Sequence, residues 1–215
     1  MRSTSRILDV VLVVCAVLMT GLAAARFVSS PARPSDGARR FPGWHEDLAF
    51  SRRIGKTDAP YTVVVWTDYQ CPACRQFESV IQQARGQLGD SVAVVYRYNP
   101  LKFHPLAFPA AVAAECARTQ GRFAEMHTTL FTTSLVGDSL PMSSLMRSTQ
   151  LSDTAAFKRC LDDPASAERA AVQADMSRVP TLKIRGTPGV QIGDRITTGG
   201  MPLEELLARL RAQRG

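Results

Sequence analysis

The chain has 215 residues, 45% of them apolar, which suits one domain of ordinary size plus a leader and excludes a wholly disordered polypeptide. Its formal charge of +7 is spread over the leader, a linker and helix surfaces. No basic stripe interleaved with aromatic residues runs through it, so nucleic acid is not an expected partner.

Arg2 and Arg6 precede an almost unbroken apolar run from Ile7 to Ala25, with Asp9 near its start. As a helix rising about 1.5 Å per residue, that run spans roughly 28 Å, close to the ~30 Å hydrocarbon core of a bilayer. Basic residues ahead of the run keep the N-terminus cytosolic and send the remainder across the membrane. Ala23, Ala24 and Ala25 also offer a small-residue cleavage site, so residues 1–26 are either a retained anchor or a signal peptide. The length of the run favours the anchor. Cys15 is no lipoprotein site, because Val14 precedes it and half the apolar run follows. Both readings place the domain outside the cytosol, in a periplasm or on the outer face of the cytoplasmic membrane. A soluble secreted form follows if the leader is cleaved.

Residues 27–43 read as a flexible linker rich in Pro, Ser, Gly and Arg, with little to bury. The domain is expected over 44–215, with order beginning near Trp44–Phe50 as a short strand or helix. Gly55–Pro60 is turn-like, and Tyr61–Thr67 is the apolar central strand.

Asp68-Tyr-Gln-Cys-Pro-Ala-Cys74 follows that strand directly. A buried strand that delivers Cys-x-x-Cys to the start of a helix is a thiol–disulfide site. Unpaired N–H groups and the positive dipole end at a helix N-terminus stabilise a thiolate at the first cysteine. Cys71 is then the nucleophile, and Cys74 resolves the mixed disulfide. Pro72 fits the first helical turn, where a missing N–H costs nothing. Half of a zinc site would look the same. However, no second Cys-x-x-Cys exists, and His45, His104 and His127 lie far apart. No metal and no cofactor are expected. Asp68 is a candidate for tuning the Cys71 pKa, or else an acid that caps the helix.

Beyond the motif, Arg75–Leu88 reads as a helix, stopped by Gly89-Asp90, and Val92–Tyr98 as a second buried strand. Strand–helix–strand of this length implies a right-handed crossover and a parallel pair. Helices are predicted over Ala107–Thr119, Arg122–Thr132, Met142–Arg147, Thr154–Leu161 and Ala165–Ser177. Gly189–Ile192 and Arg195–Thr198 flank Gly193-Asp194, a hairpin signal. Pro202 then opens an amphipathic helix with Leu203, Leu206, Leu207 and Leu210 on its buried stripe.

His104, before Pro105 at the mouth of a helix, reads as a capping or packing histidine, with a role near the redox site as the alternative. His127 reads as helix packing. Cys116 and Cys160 have three readings: a second disulfide, two free core thiols, or a further redox pair. Unpaired thiols are disfavoured in an oxidising compartment.

The fold class is α/β, and the order β-α-β, helical insertion (about 104–178), β-β-α is that of a thioredoxin fold with a helical domain in its middle. Here the resemblance becomes specific. Val65–Cys74, Asn99–Ala107, Cys116–Phe131 and Gly186-Thr-Pro188 resemble, in order, motifs of DsbA-like thiol:disulfide oxidoreductases of the thioredoxin superfamily. The resemblance runs from about Gly55 to the C-terminus. It implies a cis Thr187–Pro188 bond beside the cysteines, with the Thr187 backbone binding an extended substrate. By itself the Thr187-Pro188 sequence reads only as a turn. Some relatives bridge the positions of Cys116 and Cys160, which implies a structural disulfide here. One departure stands out: Val65 occupies the strand position, six residues before the nucleophile, where relatives carry a buried acid.

Three functions follow as hypotheses. One is a monomeric disulfide oxidase acting on cysteine-containing exported proteins and reoxidised by a membrane quinone reductase of the DsbB or vitamin K epoxide reductase type. A second is a reductase or isomerase using the same cysteines. The third is a peptide-binding module or chaperone without turnover.

Overall fold

In the computed structural model, which describes residues 39–40 and 52–214, six strands form one sheet. They are β1 (Arg39–Arg40), β2 (Arg53–Ile54), β3 (Tyr61–Thr67), β4 (Val92–Tyr98), β5 (Gly189–Ile192) and β6 (Arg195–Thr198). Their order is β1-β6-β5-β3-β4-β2. Only β3 and β4 run parallel; β5 returns antiparallel on the other side of β3, and β6 completes the hairpin. Gly193 in that hairpin has φ +56°, a left-handed turn conformation open to glycine without strain.

Seven α-helices lie among the described residues: α1 (Pro72–Leu88), α2 (Ala107–Arg118), α3 (Phe123–Thr132), α4 (Met142–Thr149), α5 (Thr154–Asp162), α6 (Ala167–Leu182) and α7 (Leu203–Arg211). The period-two alternation of β3 divides the core. Val63 and Val65 join Phe77 and Ile81 of α1 and Leu206, Leu207 and Leu210 of α7 in one cluster. Val64 and Trp66 face the opposite cluster, with Leu182, Ile184 and Ile196. Each fully buried leucine of α7 contributes about 1.5–3 kcal/mol by transfer from water.

Helices α2 to α6 form the expected insertion between the two halves of the sheet. Helix α2 is buried on nearly every side, and its run of alanines from Ala110 to Ala117 lets neighbouring helices approach closely. Cys116 of α2 and Cys160 of α5 are joined by a disulfide.

Helix α1 starts at Pro72, so the cysteine motif forms its first turn, as expected. Three features differ from the sequence reading. Arg39 and Arg40, within the expected linker, pair with Ile196 and Arg195. Helix α6 continues past Ser177 to Leu182 with Pro180 inside it. An interior proline costs ~3 kcal/mol, but Val179 and Leu182 pack on the sheet face formed by Val64, Trp66 and Val95, and such burial is of comparable size. Finally, β4 is not uniformly apolar inside: Arg97 is buried with the rest of the strand.

The Arg97 guanidinium donates to Asp175 Oδ1 of α6 at 2.6 Å. Asp175 Oδ2 accepts the Tyr98 N–H at 3.0 Å and also bonds Arg52. Arg52 reaches Glu115 of α2 at 3.0 Å, and Glu115 accepts from the Tyr98 hydroxyl at 3.0 Å. This buried network ties the sheet to the insertion.

No helix among the described residues is long and apolar enough to cross a membrane. The expected anchor or signal peptide (residues 1–26) lies outside the described residues, as do the rest of the linker and the element expected at Trp44–Phe50.

Candidate active site

Strand β3 ends at Thr67, and the turn 68–71 carries the chain into α1. Cys71 is the N-cap residue, with extended φ −72° and ψ 120°, and Pro72 holds the first helical position. No side chain caps the helix and no acid lies in its first turn, so its leading N–H groups are left for the sulfur. Both cysteines are largely covered: Cys71 is 7% exposed and Cys74 3%.

The two thiols are made unequal. Hydrogen bonding from the Cys74 thiol lowers Cys71 to about 5, against the opposing effect of burial, with help from Thr187 and the backbone N–H groups of Cys74 and Ala73. Cys74 is pushed far up, first by that same bond to Cys71 and then by burial. One thiol is therefore ionised at neutral pH and its neighbour keeps its proton.

Thr187–Pro188 faces this pair because of sheet register. Gly189 of β5 pairs with Trp66 of β3, so the residues just before β5 lie beside the turn just after β3. The Thr187–Pro188 bond is cis. The neutral Cys71 thiol donates to the Thr187 carbonyl oxygen at 3.5 Å. The Thr187 hydroxyl is buried without a hydrogen-bond partner among the described residues.

Asp68 is the centre of the turn. Its Oδ1 accepts the N–H groups of Gln70 at 2.7 Å and Cys71 at 3.1 Å. Its Oδ2 accepts the Leu101 N–H at 2.8 Å and lies 2.7 Å from His104 Nδ1. Gln70 extends the anchoring: its side-chain oxygen accepts the Leu106 N–H at 2.5 Å and its amide donates to the Leu135 carbonyl at 3.0 Å. One turn into α1, Arg75 donates to the carbonyls of Phe131 and Thr133. The structure thus brings together Cys71, Cys74, Asp68, Thr187, Pro188 and His104, while Cys116 and Cys160 bridge α2 to α5 inside the insertion.

The sequence reading missed Gln70 and Arg75. Both are ordinary polar residues whose partners are main-chain carbonyls and amides far along the chain, so no local pattern marks them. His127 is more than packing. Its Nδ1 shares a 3.0 Å hydrogen bond with the Tyr69 hydroxyl, and Nε2 stands 3.3 Å from Glu78 of α1. Among the described residues, no cluster of His, Cys, Asp or Glu is arranged to hold a metal.

Two recesses flank the first turn of α1. One, of about 550 Å³, is bordered by Gln70, Pro72, Arg75, Leu135 and Val136. The other, of about 420 Å³, is bordered by Ala73, Phe77, Val80, Gly200, Met201 and Pro202. Gly200 permits the second, since a Cβ there would stand 3.0 Å from the Phe77 ring.

Residues 49–212 match the family model described as Thioredoxin. A Na(+)/H(+) antiporter NhaA 1 of Mycolicibacterium gilvum is 32% identical over 164 residues, covering 75% of this chain and 26% of the antiporter. The chain thus spans about a quarter of the length of that curated relative. Disulfide bond formation protein D of Bacillus subtilis is 26% identical over 168 residues, covering 71% of this chain and 72% of that protein. Among solved structures, a thioredoxin-like oxidoreductase from Silicibacter pomeroyi superposes with a TM-score of 0.64 at 28% identity, covering 76% of this chain and 92% of the other. Oxidised BdbD from Bacillus subtilis gives 0.65 at 24% identity, covering 76% and 93%.

Proposed function

The chain belongs to the thioredoxin family, and on that premise we propose that it is an exported, DsbA-like thiol:disulfide oxidoreductase that introduces disulfides into secreted or envelope proteins. The observation that carries this reading is the geometry of the pair, with Cys71 capping the start of α1 and standing 3.5 Å from the carbonyl oxygen before the cis Pro188, an environment that lowers Cys71 and raises Cys74. A stabilised Cys71 thiolate is a stabilised reduced form, and a pair whose reduced form is stabilised is an oxidant. With Cys71 near 5, about 99% of it is ionised at pH 7.

In the forward direction a substrate thiolate attacks Cys71 of the Cys71–Cys74 disulfide. Cys74 leaves and takes up a proton, as its raised affinity for one requires. A second substrate thiolate then attacks the substrate sulfur of the mixed disulfide, and Cys71 leaves as a thiolate. The substrate gains a disulfide, and its two electrons reside on the enzyme dithiol. In this reading the Thr187 carbonyl, 3.5 Å from the Cys71 sulfur, accepts an N–H from an extended substrate, which its nearness to Cys71 supports. A membrane quinone reductase of the DsbB or vitamin K epoxide reductase type then removes the electrons. The leader, as anchor or signal peptide, and a linker ahead of Arg39 hold the domain outside the cytosol. Sodium–proton exchange is not carried over from the antiporter relatives.

The deciding experiment is the reduction potential of Cys71–Cys74 at equilibrium with glutathione. A value near or above about −180 mV supports the oxidase, whereas one near −270 mV assigns the same cysteines to a reductase.

A further inference from the structure

Asp68 is a buried carboxylate in the same turn as the nucleophile, and its side chain has no exposed surface. Three of its bonds come from neutral main-chain N–H groups, at Gln70, Cys71 and Leu101. The fourth is His104 Nδ1, at 2.7 Å. Among the described residues, no lysine or arginine pairs with Asp68, so His104 is its one partner able to carry positive charge. The ring of His104 keeps 17% exposure, which leaves it in exchange with solvent protons. Asp68 is also the titratable group in contact with His104; its other ring neighbour is Phe103, at 4.5 Å between centroids.

Ionising Cys71 puts a second negative charge on the residue whose N–H Asp68 Oδ1 accepts at 3.1 Å. Like charges oppose one another, and a cation on the pair relieves that opposition. Resting on the oxidoreductase reading above, we propose that His104 is a positioning residue whose protonation, through Asp68, is coupled to the redox state of Cys71. Reduction of the disulfide at neutral pH takes two electrons and one proton, leaving Cys71 as thiolate and Cys74 as thiol. Protonation of His104 adds a fraction of a second proton to that uptake. The oxidising strength of the pair is then pH-dependent beyond what two cysteines alone produce. The same contact fixes the turn, because Asp68 joins the Cys71 N–H to the loop between β4 and α2.

The first test needs no variant. The His104 ring resonance is followed through a pH titration of the whole chain, once with Cys71–Cys74 oxidised and once reduced. A midpoint at higher pH in the reduced form is expected, and superimposable curves would overturn the proposal. The second test reads Cys71 ionisation in the reduced protein from thiolate ultraviolet absorbance. His104→Gln should move its midpoint up by about 0.5–1 unit, less than the 1–3 units of a directly contacting charge. Asp68→Asn, if folded, should move it down, and shifts of the same sign in both variants would assign the two residues to packing alone. Because neither readout involves a substrate, a wild-type protein inactive in disulfide exchange would count against the oxidase reading and leave the proton coupling separately decided.

Discussion

The sulfur of Cys71 lies 3.5 Å from the carbonyl oxygen of Thr187, a residue 116 positions further along the chain. That contact places a main-chain acceptor against the Cys71 sulfur at the N-terminus of α1. It is set by β3–β5 register, and it aligns the face that a substrate would share with the sulfur.

The cysteines should differ in reactivity as sharply as in environment. Alkylation of the reduced protein should modify Cys71 first, with a rate that rises through about pH 5 and is flat near neutrality. Peptide mapping after brief labelling checks this, and dominant labelling of Cys74 would reverse the roles. Cys71→Ser should abolish exchange, and Cys74→Ser should accumulate mixed disulfides.

Cys116 and Cys160 close a loop of 44 residues between α2 and α5. Chain entropy alone assigns such a crosslink about 4 kcal/mol. Replacing both with Ala should lower unfolding stability by up to a few kcal/mol in chemical denaturation, with the reduction potential of Cys71–Cys74 unchanged. A large shift in that potential would show that the bridge communicates with the redox pair.

Asp175 serves two buried arginines and the Tyr98 N–H at once. Asp175→Asn leaves Arg52 and Arg97 short of negative charge inside the protein, and breaking such a network costs about 3–5 kcal/mol. Denaturation should show that loss, and because the network joins sheet to insertion, cooperativity should fall as well. A change under 1 kcal/mol would mean that water or other groups reach these arginines.

Burial raises the Glu78 carboxyl, but contacts with His127 and Tyr96 outweigh it and hold the group below the usual carboxylate range. A depressed carboxyl binds fewer protons folded than unfolded. Its stabilisation is present above the ordinary glutamate value of about 4.3 and is lost as pH falls through the folded value. Glu78→Gln should therefore be less stable at neutral pH yet show a flatter acid limb when unfolding is measured against pH. A parallel displacement of the whole curve would remove Glu78 from the acid response.

Tyr61–Thr67 and Val92–Tyr98, buried on both faces, were legible as continuous apolar runs, the hairpin through Gly193 and α7 through its leucine stripe, because burial and turn geometry each leave a local pattern. The two-residue strands β1 and β2 were not, since pairing at a sheet edge uses backbone groups that any residue carries. The end of helix α6 was not legible either: local rules disfavour a helix through Pro180, whereas Leu182 is held by contacts on the far face of the sheet.

Within the site the same division applies. The sequence by itself determined that Cys71 and Cys74 stand at the start of α1 as the candidate redox pair, because that placement needs only a strand, a turn and a helix in succession. It also marked Pro188 and the pair Cys116 and Cys160 through family resemblance. Tertiary structure alone decided that His104 grips Asp68, that Gln70 spans two loops, and that Arg97 enters the core to meet Asp175. Those are contacts between side chains and partners tens of residues away, and their energies depend on distance and burial, which only the packed chain defines.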